Sequence, residues 1–430
     1  MRKMHPLDYL NINLYWVALS YFANSMGTLI QPVLVAGLVS EAVKGTALGV
    51  MNALGLVVAI IVQPVVGAVS DRSTSRWGRR RPYMLLGTGL DLAFLIMIGL
   101  AGNYWVLFAG VLLVQFASNT AHGPLQGLIP DLVPEEKRGK VVGVKQVLEI
   151  LGMVGGYMAT GYLLAQGETW LAIGVIMALL VLMVFLTTFL VHEEPLKEAP
   201  AEPIWGYLLR TFKVDVRQYP DFAWWVVSRL FILLGMNLVR NYAVYYLGYL
   251  RGLTEAEAAG WAGSLMAVIA VGIVLVSYPA GHLTDRLGRK PLNLLSGLLG
   301  AFGAFLFLFA TGRTIATVAG MEVIDILGYG AVVGLSAGVF LSANWVWATD
   351  LVPRDEAGRY LGLSNLATAG AGVIAGFGGG PLIDIFNARR PGSGYTALYS
   401  AAVLSFLVGT ALLLKVRETR ARVATPMAEA

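Results

Sequence analysis

Long apolar runs alternate with short polar connections along almost the whole chain. An α-helix needs about 20 apolar residues to cross a hydrocarbon core roughly 30 Å thick. Residues 14–39, 46–69, 82–101, 104–130, 139–166 and 169–191 each meet that need. Six more runs follow at 222–248, 257–283, 291–312, 325–349, 359–385 and 394–415. The pattern predicts an all-α polytopic membrane protein with twelve transmembrane helices. The one long polar connection holds Pro195, Pro200 and Pro203 among mixed charges. It divides the chain into an N-terminal six-helix bundle at 1–191, a linker at 192–221, a C-terminal six-helix bundle at 222–415 and a tail at 416–430.

The polar connections themselves repeat. Gly67-Ala-Val-Ser-Asp71-Arg72, continuing to Gly78-Arg79-Arg80-Arg81-Pro82, returns in shorter form as Gly281-His-Leu-Thr-Asp285-Arg286-Leu-Gly288-Arg289-Lys290-Pro291, with 214 residues between the aspartates. Asp131-Leu-Val-Pro134, followed by Arg138, returns as Asp350-Leu-Val-Pro353, followed by Arg359, at an offset of 219. Gly152, Gly156 and Thr160 match Gly372, Gly376 and Gly380 at an offset of 220. Three matches near one offset indicate an internal duplication, so the two six-helix bundles are expected to be pseudo-symmetric.

Composition agrees. Apolar residues form 57% of the chain and charged residues 13%, against about 25% charged in soluble domains. There is no cysteine, which excludes disulfides and thiolate chemistry. Arg2 and Lys3 precede no short cleavable apolar segment, so the first run is expected to stay as a membrane helix. With the N-terminus placed inside, 23 Lys and Arg fall on inner segments, five on outer loops (Lys44, Arg251, Arg313, Arg389, Arg390), and three within spans. The positive-inside rule then puts both termini and the linker in the cytoplasm, and a cell (inner) membrane location is expected. This distribution accounts for the net charge of +5 without nucleic acid.

Several patterns are decoys. Gly334-Leu-Ser336-Ala-Gly338 lies mid-span, without the strand-turn-helix context of a nucleophile elbow. Gly376 and Gly378–Gly380 read as helix-packing glycines. No Gly-Lys-Ser/Thr phosphate loop occurs, and the four histidines, at 5, 122, 192 and 282, show no metal spacing. No enzyme activity, cofactor or metal is expected.

Two six-helix halves in parallel repetition with charged 2–3 and 8–9 loops resemble the major facilitator superfamily over nearly the whole chain. The first loop, Ser70-Asp71-Arg72-Ser-Thr74-Ser75-Arg76-Trp77-Gly78-Arg79-Arg80-Arg81-Pro82-Tyr83, carries three extra residues before its glycine. It resembles the loop of sucrose/proton symporters and their animal relatives, within the glycoside-pentoside-hexuronide branch. Asn119-Thr120, Gly123-Pro124 and Pro130-Asp131-Leu132 in span 4 resemble the same branch. The sequence departs from it at Gln126, where sucrose symporters carry arginine. The resemblance implies a monomeric secondary transporter working by alternating access, and symport of a sugar or glycoside with a cation, H⁺ or Na⁺, across the lipid bilayer. An exporter of amphipathic compounds and a non-transporting assembly factor of the same fold are the alternatives.

The charged loops then read as a cytoplasmic gate of Asp71, Arg72, Arg80, Asp131, Arg138, Asp285, Arg289, Asp350 and Arg359. Asp71 is expected to meet Arg359, and Asp285 to meet Arg138, across the halves. Asp131 and Asp350 are expected to hold Arg80 and Arg289 within them. The plainer alternative is that these arginines only set topology. The small-residue ladders of spans 5 and 11 permit close helix packing, expected at the interface between halves.

Ionisable groups inside the bilayer are costly and mark function. Lys145 and Glu149 share one face of span 5. A rise of 1.5 Å per residue sets His122 about 13 Å in from Asp131 and Glu149 about 15 Å in from Gly139, so they share a depth. Glu149 is the expected coupling carboxylate, with His122 and Lys145 as modulators; a static Lys145–Glu149 pair is the alternative. Spans 1, 7 and 10 offer Asn24, Gln31, Arg229, Asn237, Arg240, Asn241, Asn344 and Trp345 for solute, since amides, guanidinium groups and aromatic rings suit sugars. Glu322 and Asp325 are expected to be solvated at the outer edge of span 10. Asp91 in span 3 has no evident role.

Overall fold

The computed structural model describes residues 5–193, 196, 218–318, 321–352 and 357–417, with backbone only at Asp285, Met321, Thr349, 357–359 and 361–362. Most of the expected linker and the tail beyond 417 lie outside the described residues.

Among the described residues twelve long helices carry the chain back and forth. After a helical turn at Pro6–Asn11, α1 comprises Leu14–Ser25, a π-helical turn at Met26–Ile30 and Gln31–Leu38. The widened turn lies just before Pro32, which has no N–H to return to the preceding turn. There follow α2 (Lys44–Ser70), α3 (Arg81–Gly99), α4 (Tyr104–Leu132), α5 (Glu135–Ala165) and α6 (Thr169–Leu190). In the second half α7 is broken at Tyr242 into Pro220–Asn241 and Ala243–Arg251. It is followed by α8 (Glu255–Leu287), α9 (Arg289–Phe307), α10 (Asp325–Asp350), α11 (Ala357–Asn387) and α12 (Ser393–Leu413). Helices α2 to α12 each have the length and apolar character to cross a membrane, while the π turn divides α1 into shorter pieces.

The connection before α10 is not the plain loop that the pattern implied. Strands β1 (Thr314–Val318) and β2 (Met321–Ile324) form an antiparallel hairpin. Asp325, expected to be solvated, is buried beneath it and accepts from Thr311 N, Gly312 N and Thr311 Oγ1 at 2.7–3.0 Å. A short turn whose amides would otherwise be orphaned needs that acceptor.

The halves join at one end. Asp384 of α11 accepts from Gly45 N at 3.1 Å and Thr46 N at 2.6 Å. These are the second and third residues of α2, so a carboxylate of one half caps a helix of the other. Lys44 Nζ lies 2.6 Å from Glu255 Oε1 and 4.9 Å from the Tyr245 ring centre. Tyr245 Oη donates to Pro32 O at 3.1 Å. Here α2 and α11 touch through glycine: a Cβ on Gly45 would stand 2.9 Å from Gly380 O, and one on Gly49 would overlap Gly376 O. At the opposite end, which carries the 71–80 turn, Val142, Val147 and Leu151 of α5 and Leu275 and Tyr278 of α8 are exposed, and Gly67, Gly139, Gly143 and Gly281 have open space beside them. Among the described residues the molecule is therefore closed at the end of residues 40–44 and open at the end of residues 71–80.

The two small-residue ladders do different work, which revises their expected common place between the halves. Gly372, Gly376 and Gly380 of α11 face Leu56, Ala53 and Gly45 of α2 in the other half. Gly152 and Gly156 of α5 instead face Val17 and Tyr21 of α1 in their own half, and Thr160 donates to Ser25 Oγ at 2.8 Å. The contact of α5 with α8 falls on the next face, where Gly161 meets Ala259 and Gly263.

Replacing Gly376 by Val is expected to push α2 and α11 apart, at a cost of about 1–3 kcal/mol. In this cysteine-free chain a single cysteine at Thr46 should then label faster with an impermeant maleimide. Gly378→Val, beside open space, should change neither labelling nor melting temperature; equal labelling in both variants would contradict the closed contact.

Candidate functional site

Between the halves lies a cavity of about 480 Å³. Its wall is polar where the surrounding helices are apolar. The first half supplies Ser20, Asn24, Thr28 and Gln31 from α1, Asn52 and Gln63 from α2, Gln115, Asn119 and His122 from α4, and Glu149 from α5. The second half supplies Asn237, Arg240 and Asn241 from α7 and backbone at Gly372.

These groups are held by one another. Tyr157 Oη donates to Asn24 Oδ1 at 2.7 Å, while Asn24 Nδ2 donates to Ser20 O at 2.7 Å. Ser20 Oγ donates to Glu149 O at 2.7 Å, tying α1 to α5. Lys145 Nζ lies 3.0 Å from Glu149 Oε1 and 3.8 Å from the Trp16 ring centre. His122 meets the edge of that ring at 5.1 Å, and its nitrogens lie 3.5 Å from Gln63 Nε2 and 3.3 Å from Gln126 Nε2. His122 and Glu149 thus belong to one chain of contacts, with Trp16 and Lys145 between them. Across the cavity Arg240 Nη2 donates to Asn237 Oδ1 at 3.2 Å. Gln31 Oε1 is buried without a partner, an acceptor on the wall with nothing to accept.

Of the residues expected to meet solute, the structure brings Asn24, Gln31, Asn237, Arg240 and Asn241 to this cavity. It leaves Arg229, Asn344 and Trp345 off the wall. Arg229 and Arg240 share a face of α7 by pitch, but Arg229 turns between α10 and α11, where it bonds Asn344 and Thr368. Trp345, one residue beyond Asn344, is exposed. Sequence reasoning overlooked Trp16, Asn52, Gln63 and Gln115. Asn52 and Gln63 were legible: they are the polar amides of an otherwise apolar span and lie eleven residues apart, on one helix face.

Charged groups gather at the open end, and the ion pairs seen there among the described residues lie within each half. Arg80, 6% exposed, is held by Asp71, by Asp131 Oδ2 at 3.0 Å and by Ser70 Oγ at 2.6 Å. Arg79 pairs with Asp131. Arg289 Nε lies 2.9 Å from Asp350 Oδ2. Arg138 donates to Val133 O at 3.1 Å and Pro130 O at 3.0 Å. The side chains of Asp285 and Arg359, expected to close the gate across the halves, lie outside the described residues. Glu193 gave no signal in the sequence. It is buried after α6, and its carboxylate accepts from Arg80 N at 2.9 Å, capping α3. Gly78, at φ +103, makes the turn that admits it.

The sequence profile of the Major Facilitator Superfamily matches residues 7–376 and, in a second alignment, 227–429. The chain belongs to this superfamily. Among its relatives, sucrose transport protein SUT1 of Oryza sativa subsp. japonica is 32% identical over 125 residues, 24% of this chain and 23% of that protein. The chain thus spans less than a quarter of that relative. Sucrose transport protein SUT5 of Oryza sativa subsp. indica is 24% identical over 85% of this chain and 80% of its own length. Protein PucC of Cereibacter sphaeroides is 26% identical over 82% and 79%. Two solved structures share the fold: the nucleoside transporter NupG, with a TM-score of 0.74 at 15% identity over 95% of this chain and 100% of that one, and a D-xylose-proton symporter, with 0.67 at 18% over 93% and 96%. The protein is accordingly a multi-pass membrane protein of the superfamily's transporter fold, with twelve helices in two pseudo-symmetric bundles.

Arg80→Met should cost about 3 kcal/mol, since removing one partner of a buried pair leaves the carboxylates uncompensated. Thermal unfolding in detergent measures it; a melting temperature equal to that of the unaltered protein would show that the cluster contributes nothing to stability.

Proposed function

We propose that this superfamily member is a secondary transporter that moves a sugar or glycoside in symport with a cation, H⁺ in the first instance. The observation that carries this reading is the intramembrane Glu149, paired with Lys145, on the wall of a cavity that also presents many amides and hydroxyls. Amide and hydroxyl groups exchange hydrogen bonds with sugar hydroxyls, and the Trp16 indole offers an aromatic face. The free Gln31 acceptor suits a donated hydroxyl. Similarity to the sucrose transport proteins and the fold shared with a D-xylose-proton symporter support the same substrate class.

In this reading the open end faces the cytoplasm, because the arginine-rich segments lie there. The halves rock about the midplane cavity. Glu149 takes up a proton from the far side, which releases Lys145 from its pair. Lys145 then rests on Trp16, and the charge of the wall changes with solute bound. Loss of the proton to the cytoplasm restores the pair. His122, through Trp16, and Lys145 tune that exchange. Opening outward requires the Asp384 cap and the Lys44–Glu255 pair to break, while Asp71, Arg72, Arg138, Asp285 and Arg359 close the cytoplasmic end.

Reconstitution into proteoliposomes with a panel of labelled glycosides, under imposed pH or Na⁺ gradients, tests the reading. Uphill uptake of at least one glycoside under an inward proton gradient is expected. Glu149→Gln should abolish uphill accumulation while solute exchange persists. Accumulation at an unchanged level in that variant would remove Glu149 from the coupling step, and no uptake of any glycoside would overturn the substrate class.

A further inference from the structure

The second half contains buried hydrogen-bond donors with too few acceptors among the described residues. Arg229 is 6% exposed on α7. Its Nε donates to Thr368 Oγ1 of α11 at 3.2 Å, and Nη1 donates to Asn344 Oδ1 of α10. Its Cζ stands 5.6 Å from the ring centres of Trp225 and Phe340. Both acceptors are neutral. Among the described side chains no carboxylate pairs with this guanidinium, and those of its half are engaged elsewhere. Asp221 accepts from Arg417 N, Asp350 pairs with Arg289, Asp325 holds the hairpin turn and Asp384 caps α2. Glu255 pairs with Lys44, Glu257 caps its own helix and Glu322 pairs with Arg251.

One helical turn toward the open end lies a second ring of donors. Trp225 comes four residues before Arg229, Trp347 three after Asn344, and Ser364 four before Thr368. Each therefore continues the face of a residue in the Arg229 contact. All three are fully buried, and Trp225 Nε1, Trp347 Nε1 and Ser364 Oγ have no partner. Below them an aromatic floor closes the site: Phe222 packs on Trp225 at 5.5 Å and on Tyr360 at 5.1 Å, and Tyr219 packs on Tyr360 at 5.1 Å. A buried cation without a counter-charge is costly, and so is each buried donor left unpaired. Gathering these in one place is reasonable chemistry when a negative ion fills it.

We propose that Arg229, Trp225, Trp347, Ser364 and Thr368 form a binding site for a small inorganic anion of halide size between α7, α10 and α11. A guanidinium, two indole N–H groups and the Ser364 hydroxyl offer donors to an anion, while Thr368, whose own hydroxyl donates to Ser364 O at 3.0 Å, holds the guanidinium in place. The full burial of Trp225, Trp347 and Ser364 suits a dehydrated single-atom ion over a larger oxyanion. The site stands apart from the solute cavity, which Arg229 does not line, so it is independent of the solute and of Glu149. An ion bound there stabilises the bundle by mass action, holding α7 against α10 and α11.

Thermal unfolding of the full chain in detergent, titrated with sodium chloride or bromide against sodium gluconate at constant ionic strength, tests this. The melting temperature should rise saturably with either halide and stay flat in gluconate. Ser364→Ala should raise the half-saturating halide concentration about tenfold, the loss of one hydrogen bond to a charged group. Arg229→Gln should abolish the halide response and, in gluconate, melt no lower than the unaltered protein, because it removes an uncompensated buried charge. A purely structural Arg229 would instead lower the melting temperature in both salts. Identical melting of the unaltered protein in halide and gluconate would overturn the proposal. So would a halide response that survives Ser364→Ala unchanged, a measurement that stands even where Arg229→Gln fails to fold.

Discussion

The two bundles meet at one end around a carboxylate of one half set at the head of a helix of the other. Asp384 satisfies two of the amides that α2 leaves unpaired at its start, and its charge meets the positive end of that helix. The glycines of α2 and α11 let the backbones close to the distance at which this cap forms. Lys44 adds a second carboxylate from the other half, Glu255. With the closure placed there, the described residues of the opposite end stand apart.

The cavity inherits an imbalance from this arrangement. Most of its polar wall comes from α1, α2, α4 and α5, and the second half contributes Asn237, Arg240 and Asn241 from the part of α7 just before its break. The broken α7 presents those side chains because Tyr242 leaves the helical path there and anchors to α11. The deeper charge of the second half, Arg229, is withdrawn among α7, α10 and α11 instead. Two halves built from one duplicated unit thus hold their charge in different ways: a cavity-wall glutamate paired with a lysine, and a guanidinium held by neutral acceptors and rings.

Much of the fold could be read from the chain because a bilayer leaves few options. Every backbone polar group within it needs an internal partner, so apolar runs of sufficient length become helices, and the recurrence of Asp71 at Asp285 and of Asp131 at Asp350 gives the two-fold plan. The shared depth of His122 and Glu149 followed from helix rise along each span, while the cavity role of Asn24, Gln31 and Arg240 followed from the resemblance to the superfamily. What pitch leaves open is the rotation of one helix against another. Arg229, Asn344 and Trp345 satisfied the same periodic rule and fell off the cavity wall, since side-chain direction depends on which neighbour each helix face meets. The ladder at Gly152 and Gly156 looked equivalent to that at Gly372 and Gly376, yet packs within its own half.

The sequence by itself determined the number of spans, their internal repeat and the types of polar group within them, because length, spacing and hydropathy are properties of the local chain. Only the tertiary structure decided which end is closed, that Glu193 and Asp384 cap helices far from them in sequence, and that Trp16 stands between His122 and Lys145. Those outcomes depend on distances between residues far apart along the chain, and are fixed when helices pack and each buried polar group takes the nearest partner that geometry allows.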